Sequence, residues 1–114
     1  MSSHRSFADI TVSVVSYKSQ DVLGACLESL PKGIQIRVFD NASSDGTVDL
    51  IRRRFPNVKL ITSDENVGFG RGHNANLEQT STPYALILNP FGQRFKACPK
   101  YVLTVIRNDA YSDI

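Results

Sequence analysis

The most suggestive chemistry in this chain lies where Asp40 and Asn41 close an apolar run and open a polar cluster, Ala42-Ser43-Ser44-Asp45-Gly46. A carboxylate accepts hydrogen bonds and donates none. Asp40 is therefore suited to accept from the N3–H of uracil or thymine, a donor that adenine lacks. It could equally cap its own turn, a common use of aspartate. Asn41 and the Ser43-Ser44-Asp45-Gly46 turn carry the same two readings. Tyr17 follows the apolar run at residues 10–15. It could lie beside a base or be an ordinary exposed tyrosine.

A second cluster is Asn66-Val67-Gly68-Phe69-Gly70-Arg71-Gly72-His73-Asn74. Glycines at alternate positions let a backbone approach a ligand closely. Amides ahead of a helix favour phosphate, and Arg71 could pair with a diphosphate. A flexible turn is the plain alternative. The spacing is not the dinucleotide fingerprint, and the cluster follows a third strand rather than a first. His73 alone reads as a surface or packing histidine. No Ser-His-Asp arrangement, metal-ligand cluster or phosphate-binding P-loop is present.

The elements that must hold these residues alternate. Residues 10–15 are β-branched and apolar and read as a strand buried on both faces. Val22, Leu23, Cys26, Leu27 and Leu30 follow at helical spacing. Pro31 and Gly33 stop that helix, and residues 34–39 form a second strand. Ser44 or Asp45 can cap a helix with the stripe Val48, Ile51 and Phe55. Residues 58–62 are a third strand, 64–72 a glycine-rich loop, and 72–79 a helix with a weak apolar face. Residues 84–88 are a fourth strand, and Val102, Val105 and Ile106 mark a last helix. The order βαβαβαβα builds an open, mainly parallel sheet with flanking helices and right-handed crossovers. Ligands of such sheets sit outside the carboxyl ends of the strands. The four ends here, at Ser16-Tyr17-Lys18, Asp40-Asn41, Ser63-Asp64-Glu65-Asn66 and Asn89-Pro90, are all polar.

Composition sets the outer bounds. At 114 residues the chain fits one small domain or part of a larger one. A net charge of +2 is too mild to predict nucleic acid or a membrane as a partner, and no nucleic acid is expected. Arg52-Arg53-Arg54 reads as a solvated helix end rather than a basic binding patch. Cys26 and Cys98 match no metal or redox spacing, and Cys26 in its apolar stripe reads as a buried inert thiol. Residues 1–8 carry no apolar core of signal-peptide type, and no apolar run approaches the length of a membrane span. A cytoplasmic protein is expected, one able to work at the inner face of a membrane. Residues 1–8 read as an N-terminal tail and 9–114 as an incomplete domain. The end at Ser112-Asp113-Ile114 carries no turn signal and looks like the approach to another strand.

Taken in order, Val12-Ser13-Val14-Val15-Ser16-Tyr17, Phe39-Asp40-Asn41-Ala42-Ser43-Ser44-Asp45-Gly46-Thr47, Asn66-Val67-Gly68-Phe69-Gly70 and Leu88-Asn89-Pro90 resemble the family 2 glycosyltransferases of GT-A fold. The rhamnosyltransferase-like branch is the nearest match. The resemblance implies a Rossmann-like, donor-binding half. It implies transfer of a sugar from a nucleoside diphosphate sugar (UDP- or dTDP-linked, dTDP-rhamnose among them) to a glycan or lipid-linked acceptor in cell-surface glycan synthesis. By position, Ser16, Tyr17, Asp40 and Asn41 would border the nucleobase and ribose. Asn66, Gly68, Arg71 and Asn74 would line the ribose and diphosphate, with Asn89 at the fourth strand end.

The family also implies Mg²⁺ or Mn²⁺ on the diphosphate, held by an acidic residue that this branch places after Asn-Pro. Here Phe91 stands there. Hard cations want oxygen ligands, and phenylalanine has none, which counts against metal-assisted catalysis. A shifted reading frame after Pro90 would also remove the acid. Arg94-Phe95-Lys96 and a helix through Asn108 fit the family's continuation, so the change reads as a local substitution. The catalytic base of an inverting transferase would lie beyond Ile114, and no residue here is assigned to it. Two other readings remain: a catalytically inactive, truncated nucleotide-binding remnant, and a phosphoacceptor signalling domain of flavodoxin-like topology. The signalling domain would want paired acids after the first strand, where this chain has Tyr17-Lys18, and five complete strands.

Overall fold

The computed structural model describes residues 7–91 and 100–107. Its elements are a 3-10 turn at Phe7–Asp9, β1 (Ile10–Ser16), α1 (Gln20–Glu28), β2 (Gln35–Asp40), α2 (Thr47–Arg54), β3 (Lys59–Thr62), α3 (Gly68–Glu78), β4 (Tyr84–Phe91) and β5 (Lys100–Arg107). The strands form one sheet in the order β3-β2-β1-β4-β5. β1 to β4 run parallel and β5 is antiparallel to β4. The sheet grows outward from β1 to β3, then returns to the other side of β1 at β4. The strand order therefore reverses between β1 and β4, where a doubly wound sheet opens a crevice at its carboxyl edge.

Side chains of β1 alternate between two different layers. Val12 and Val14 join Leu23, Cys26 and Leu27 of α1, Ile51 of α2, Val38 and Leu88 in the main apolar core. Thr11, Ser13 and Val15 point to the opposite face, where α3 packs against β1 and β2. This second layer is part polar. Ser13 Oγ lies 2.8 Å from His73 Nδ1 and accepts from Asn76 Nδ2 at 2.9 Å. The same Asn76 amide donates to Val14 O at 3.1 Å. Asn76 Oδ1 is buried with no hydrogen-bond partner among the described residues. His73 is 4% exposed, a packing histidine as expected.

Two elements differ from the sequence reading. The helix expected around Val102, Val105 and Ile106 is the strand β5, paired from Lys100↔Phe91 to Arg107↔Tyr84. The i, i+3, i+4 spacing that suggested a helix is also contained in the unbroken run Tyr101-Val102-Leu103-Thr104-Val105-Ile106. Short apolar runs are ambiguous in period, and β-branched residues favour the extended choice. The helical continuation that made Phe91 read as a local substitution loses its support with this change. The second difference is α3, which starts at Gly68 rather than Gly72. Most of the supposed glycine loop is thus the first turn of a helix. Cys98 and the chain after Arg107 lie outside the described residues.

Candidate functional site

β1 and β2 end side by side, with Ser16 paired to Asp40 in the parallel register. Asp40 is 1% exposed and its carboxylate faces inward. Oδ1 accepts from Ser16 Oγ and from Ser43 Oγ, both at 2.7 Å. Oδ2 accepts from the Ser43 amide at 2.9 Å. The turn-capping role of Asp40 is therefore realised. Ser43 in turn accepts from the Lys18 amide at 2.8 Å, which ties the β1 end to the β2 turn. Both loops depend on left-handed residues without a glycine, Lys18 at φ 48° and Ala42 at φ 58°. Such strain persists where surrounding bonds over-determine it, and Ser43 supplies those bonds here.

Asn41, 2% exposed, carries the network to α3. Its Nδ2 donates to Gly68 O at 3.1 Å and its Oδ1 accepts from the Val67 amide at 3.0 Å. Asn66 Oδ1 accepts from the Gly68 amide at 2.9 Å. A helix start leaves four amides without intrahelical partners. Two of them, at Val67 and Gly68, are satisfied by Asn41 and Asn66. Those of Phe69 and Gly70 remain on the exposed first turn, with Arg71 exposed beside them. Amides placed in this way can accept an anion, which the helix dipole favours.

The glycines there serve different needs. Gly68 has φ +87°, a conformation other residues rarely adopt. A Cβ on Gly70 would meet nothing within 4 Å. A Cβ on Gly72 would sit 2.8 Å from Val15 Cγ2 and 3.0 Å from Phe39 Cδ1. Gly72 thus lets α3 lie close on the sheet rather than admitting a ligand, a correction to the earlier reading.

The structure brings Ser16, Asp40, Asn41, Asn66 and Gly68 into one bonded network. Tyr17 is 41% exposed at its rim, with the Lys18 ammonium 5.2 Å from its ring centre. Phe69, 54% exposed, stands at the start of α3. Arg71 and half-buried Asn74 lie along α3. Asn89 follows Leu88, the last β4 residue registered against β1. Ser43, in sequence only a member of a turn, bridges two loops. Asp45 supports the start of α2, accepting from the Thr47 amide and hydroxyl. Burial raises the Asp45 carboxyl, but the Thr47 bonds together with backbone hydrogen bonds from Gln20 and Asp45 itself outweigh it and hold the group below the usual carboxylate range. Among the described residues no group of three His, Cys, Asp or Glu side chains could hold a metal ion. Phe91, at the end of β4, has no oxygen to offer one.

The model of the family "Glycosyl transferase family 2" matches residues 11–90, from β1 through the carboxyl end of β4. The chain belongs to glycosyl transferase family 2. It is 31% identical over 74 residues to an N-acetylglucosaminyl-diphospho-decaprenol L-rhamnosyltransferase of Mycobacterium tuberculosis, covering 61% of this chain and 24% of that protein. The chain thus spans about a quarter of the length of the curated relatives it matches. Among solved structures, S. aureus TarS 1-349 in complex with UDP-GlcNAc superposes with a TM-score of 0.55 at 26% identity, over 70% of this chain and 26% of that one. The mannosyltransferase PcManGT of Pyrobaculum calidifontis, in complex with GDP-Man and Mn²⁺, gives 0.58 at 25% identity over 71% and 27%. This family 2 chain therefore carries the nucleotide-half architecture of GT-A glycosyltransferases, as a partial domain. Divalent metal accompanies some of its structural neighbours.

Proposed function

We propose that this chain is the donor-binding half of a glycosyltransferase. In this reading it holds a uracil or thymine nucleoside diphosphate sugar, dTDP-rhamnose among the candidates, for transfer to a glycan or lipid-linked acceptor. The observation that carries it is the bonded network at the carboxyl ends of β1 and β2, Ser16–Asp40–Ser43 joined through Asn41 to the start of α3. The network fixes three loops around one crevice, so little ordering remains to be done when a nucleotide arrives. Three donors occupy the Asp40 carboxylate, which has room for about four. The remaining lone pair, on Oδ2, would suit the N3–H of uracil or thymine once a base reaches it past the Ser43 turn. Tyr17 would flank the base, while the Phe69 and Gly70 amides with Arg71 would receive the diphosphate. Asn74 and Asn89 would complete the ribose and sugar sides.

The rhamnosyltransferase name of the M. tuberculosis relative and the UDP-GlcNAc bound to TarS support this ligand class. The GDP-Man of PcManGT fits the same acceptor logic, since guanine also presents a ring N–H. Adenine presents none. A lipid-linked acceptor would place the work at the inner face of a membrane, on the cytoplasmic side. No helix among the described residues is long and apolar enough to cross one.

A second reading keeps nucleotide binding without turnover, and Phe91 favours it. Where family members hold Mg²⁺ or Mn²⁺, the metal would neutralise charge on the departing diphosphate. The residues described here do not fit that group. Titration calorimetry with UDP, dTDP, GDP and ADP tests the proposal. Tighter binding of UDP or dTDP than ADP is expected, and equal or tighter ADP binding would refute the base-reading role of Asp40. Mn²⁺ is expected to add little to UDP binding, with part of the effect restored by Phe91→Asp. Strong Mn²⁺ enhancement in the unaltered chain would mean that the metal site has been misplaced. Metal-dependent turnover of a nucleotide sugar would exclude the second reading.

A further inference from the structure

The opposite end of the sheet carries a groove that nucleotide binding does not use. It lies between the loop before β2 and the loop before β3, at the amino ends of these strands. Its volume is about 480 Å³, within the size range of small-molecule sites. Pro31, Ile34, Ile36, Phe55, Pro56 and Val58 give it an apolar lining. Ile34, Ile36, Phe55 and Val58 are half-buried edge members of the main core, so the groove floor is rigid.

The rim is cationic. Lys32 and Arg54 line it, both exposed, and Arg52, Arg53 and Lys59 flank it in sequence, all exposed. Arg54 is paired with Glu28, which leaves Lys32 as the lining cation outside an ion pair among the described residues. The whole chain carries only +2, so positive charge is concentrated at this end. An apolar slot beside the exposed Lys32, with further cations flanking it, is complementary to a ligand that is apolar along its length and anionic at one end.

We propose that this groove binds a single-chain anionic amphiphile, such as an acyl chain with a phosphate head. The chain lies along Ile34, Ile36, Phe55 and Val58, and the head meets Lys32, beside the Arg54–Glu28 pair. The site is separate from the nucleotide crevice, so either assignment can fail without the other.

The test is an amide-resolved NMR titration of the full chain with dodecyl phosphate below its micellar concentration. Dodecyl maltoside, inorganic phosphate and phosphatidylglycerol vesicles are run in parallel. Dodecyl phosphate should shift Gly33, Ile34, Ile36 and Val58 while leaving Ser43 and Gly68 in place. Lys32→Glu should weaken binding roughly three- to tenfold, the scale of one exposed charge pair reversed. Lys32→Gln, which only removes the charge, should fall between. Absence of shifts in the groove would overturn the proposal. Equal binding of the maltoside would remove the role of the anionic head, and equal shifts with inorganic phosphate would remove that of the apolar lining. Binding to vesicles without binding of the monomer would replace a single-molecule site with a membrane surface.

Discussion

Replacing Asp40 by Asn is the sharpest perturbation of the strand-end network, because the side chain keeps its shape and loses only its charge and one acceptor. The carboxylate takes two hydroxyl donors on Oδ1 and one amide donor on Oδ2. An asparagine can be seated in two ways. If its oxygen takes the Oδ1 place, its NH₂ confronts the Ser43 amide, donor against donor. If its NH₂ takes that place, Ser16 and Ser43 must turn to accept, and the hydroxyl hydrogen of Ser16, 0% exposed, loses its acceptor. Either seating strands one donor, part-buried at Ser43 or fully buried at Ser16, at about 1–3 kcal/mol, and weakens the surviving bonds from charged to neutral. The expected loss is about 2–5 kcal/mol, a large part of the ~5–15 kcal/mol that a domain has. Urea denaturation followed by circular dichroism reads it directly. A change below about 0.5 kcal/mol, the scale of an ordinary surface substitution, would refute the inward-facing geometry of Asp40. Where the variant still folds, loss of UDP binding tests the remaining lone pair separately.

Other outcomes follow from the packing and the ionisable groups. Gly70→Ala should stabilise the chain by roughly 0.5–1 kcal/mol, since its Cβ meets nothing and alanine favours the helix. Gly72→Ala should instead destabilise it, because overpacking against Val15 and Phe39 at about 1–3 kcal/mol exceeds that gain. Thermal melts of the pair should move in opposite directions, and a shared direction would contradict the close seating of α3. Burial pushes the Cys26 thiol up to about 11. Its folded value is raised, so its contribution is fully present below the unfolded value near 9 and is lost as pH rises towards 11. The fall should approach roughly 2–3 kcal/mol and should be missing from the corresponding curve of Cys26→Ala. An identical alkaline slope in both proteins would show that the thiol is not buried as described.

The parts of this fold that could be read in the sequence are those with a single strong cause. β1 is a β-branched run buried on both faces, and α1 carries an apolar stripe from Val22 to Leu30. Each gives the right element, β1 to within a residue, whereas α1 ends at Glu28, two residues before Leu30. α3 was harder because its sheet-facing positions include Gly72, His73 and Asn76, which carry little hydrophobic signal. His73 and the Asn76 amide nitrogen bond to Ser13, a partner remote in sequence. β5 was misread because Val102, Val105 and Ile106 fit either period, and pairing with β4 decided between them. At the site, Asp40 and Asn41 stood out by chemistry and position. That Asp40 faces inward, and that Ser43 bonds the Lys18 amide, depends on two left-handed residues that nothing in their identity announces.

The central claim is that the crevice above β1 and β2 holds a uracil or thymine nucleotide. An amide-resolved NMR titration of the full chain with UDP, set against ADP, tests it most directly. The account predicts saturable shifts at Tyr17, Lys18, Asn41, Ser43, Phe69 and Gly70, with UDP binding tighter than ADP and the groove before β2 and β3 undisturbed. No shifts with UDP, or shifts confined to other parts of the sheet, would contradict it.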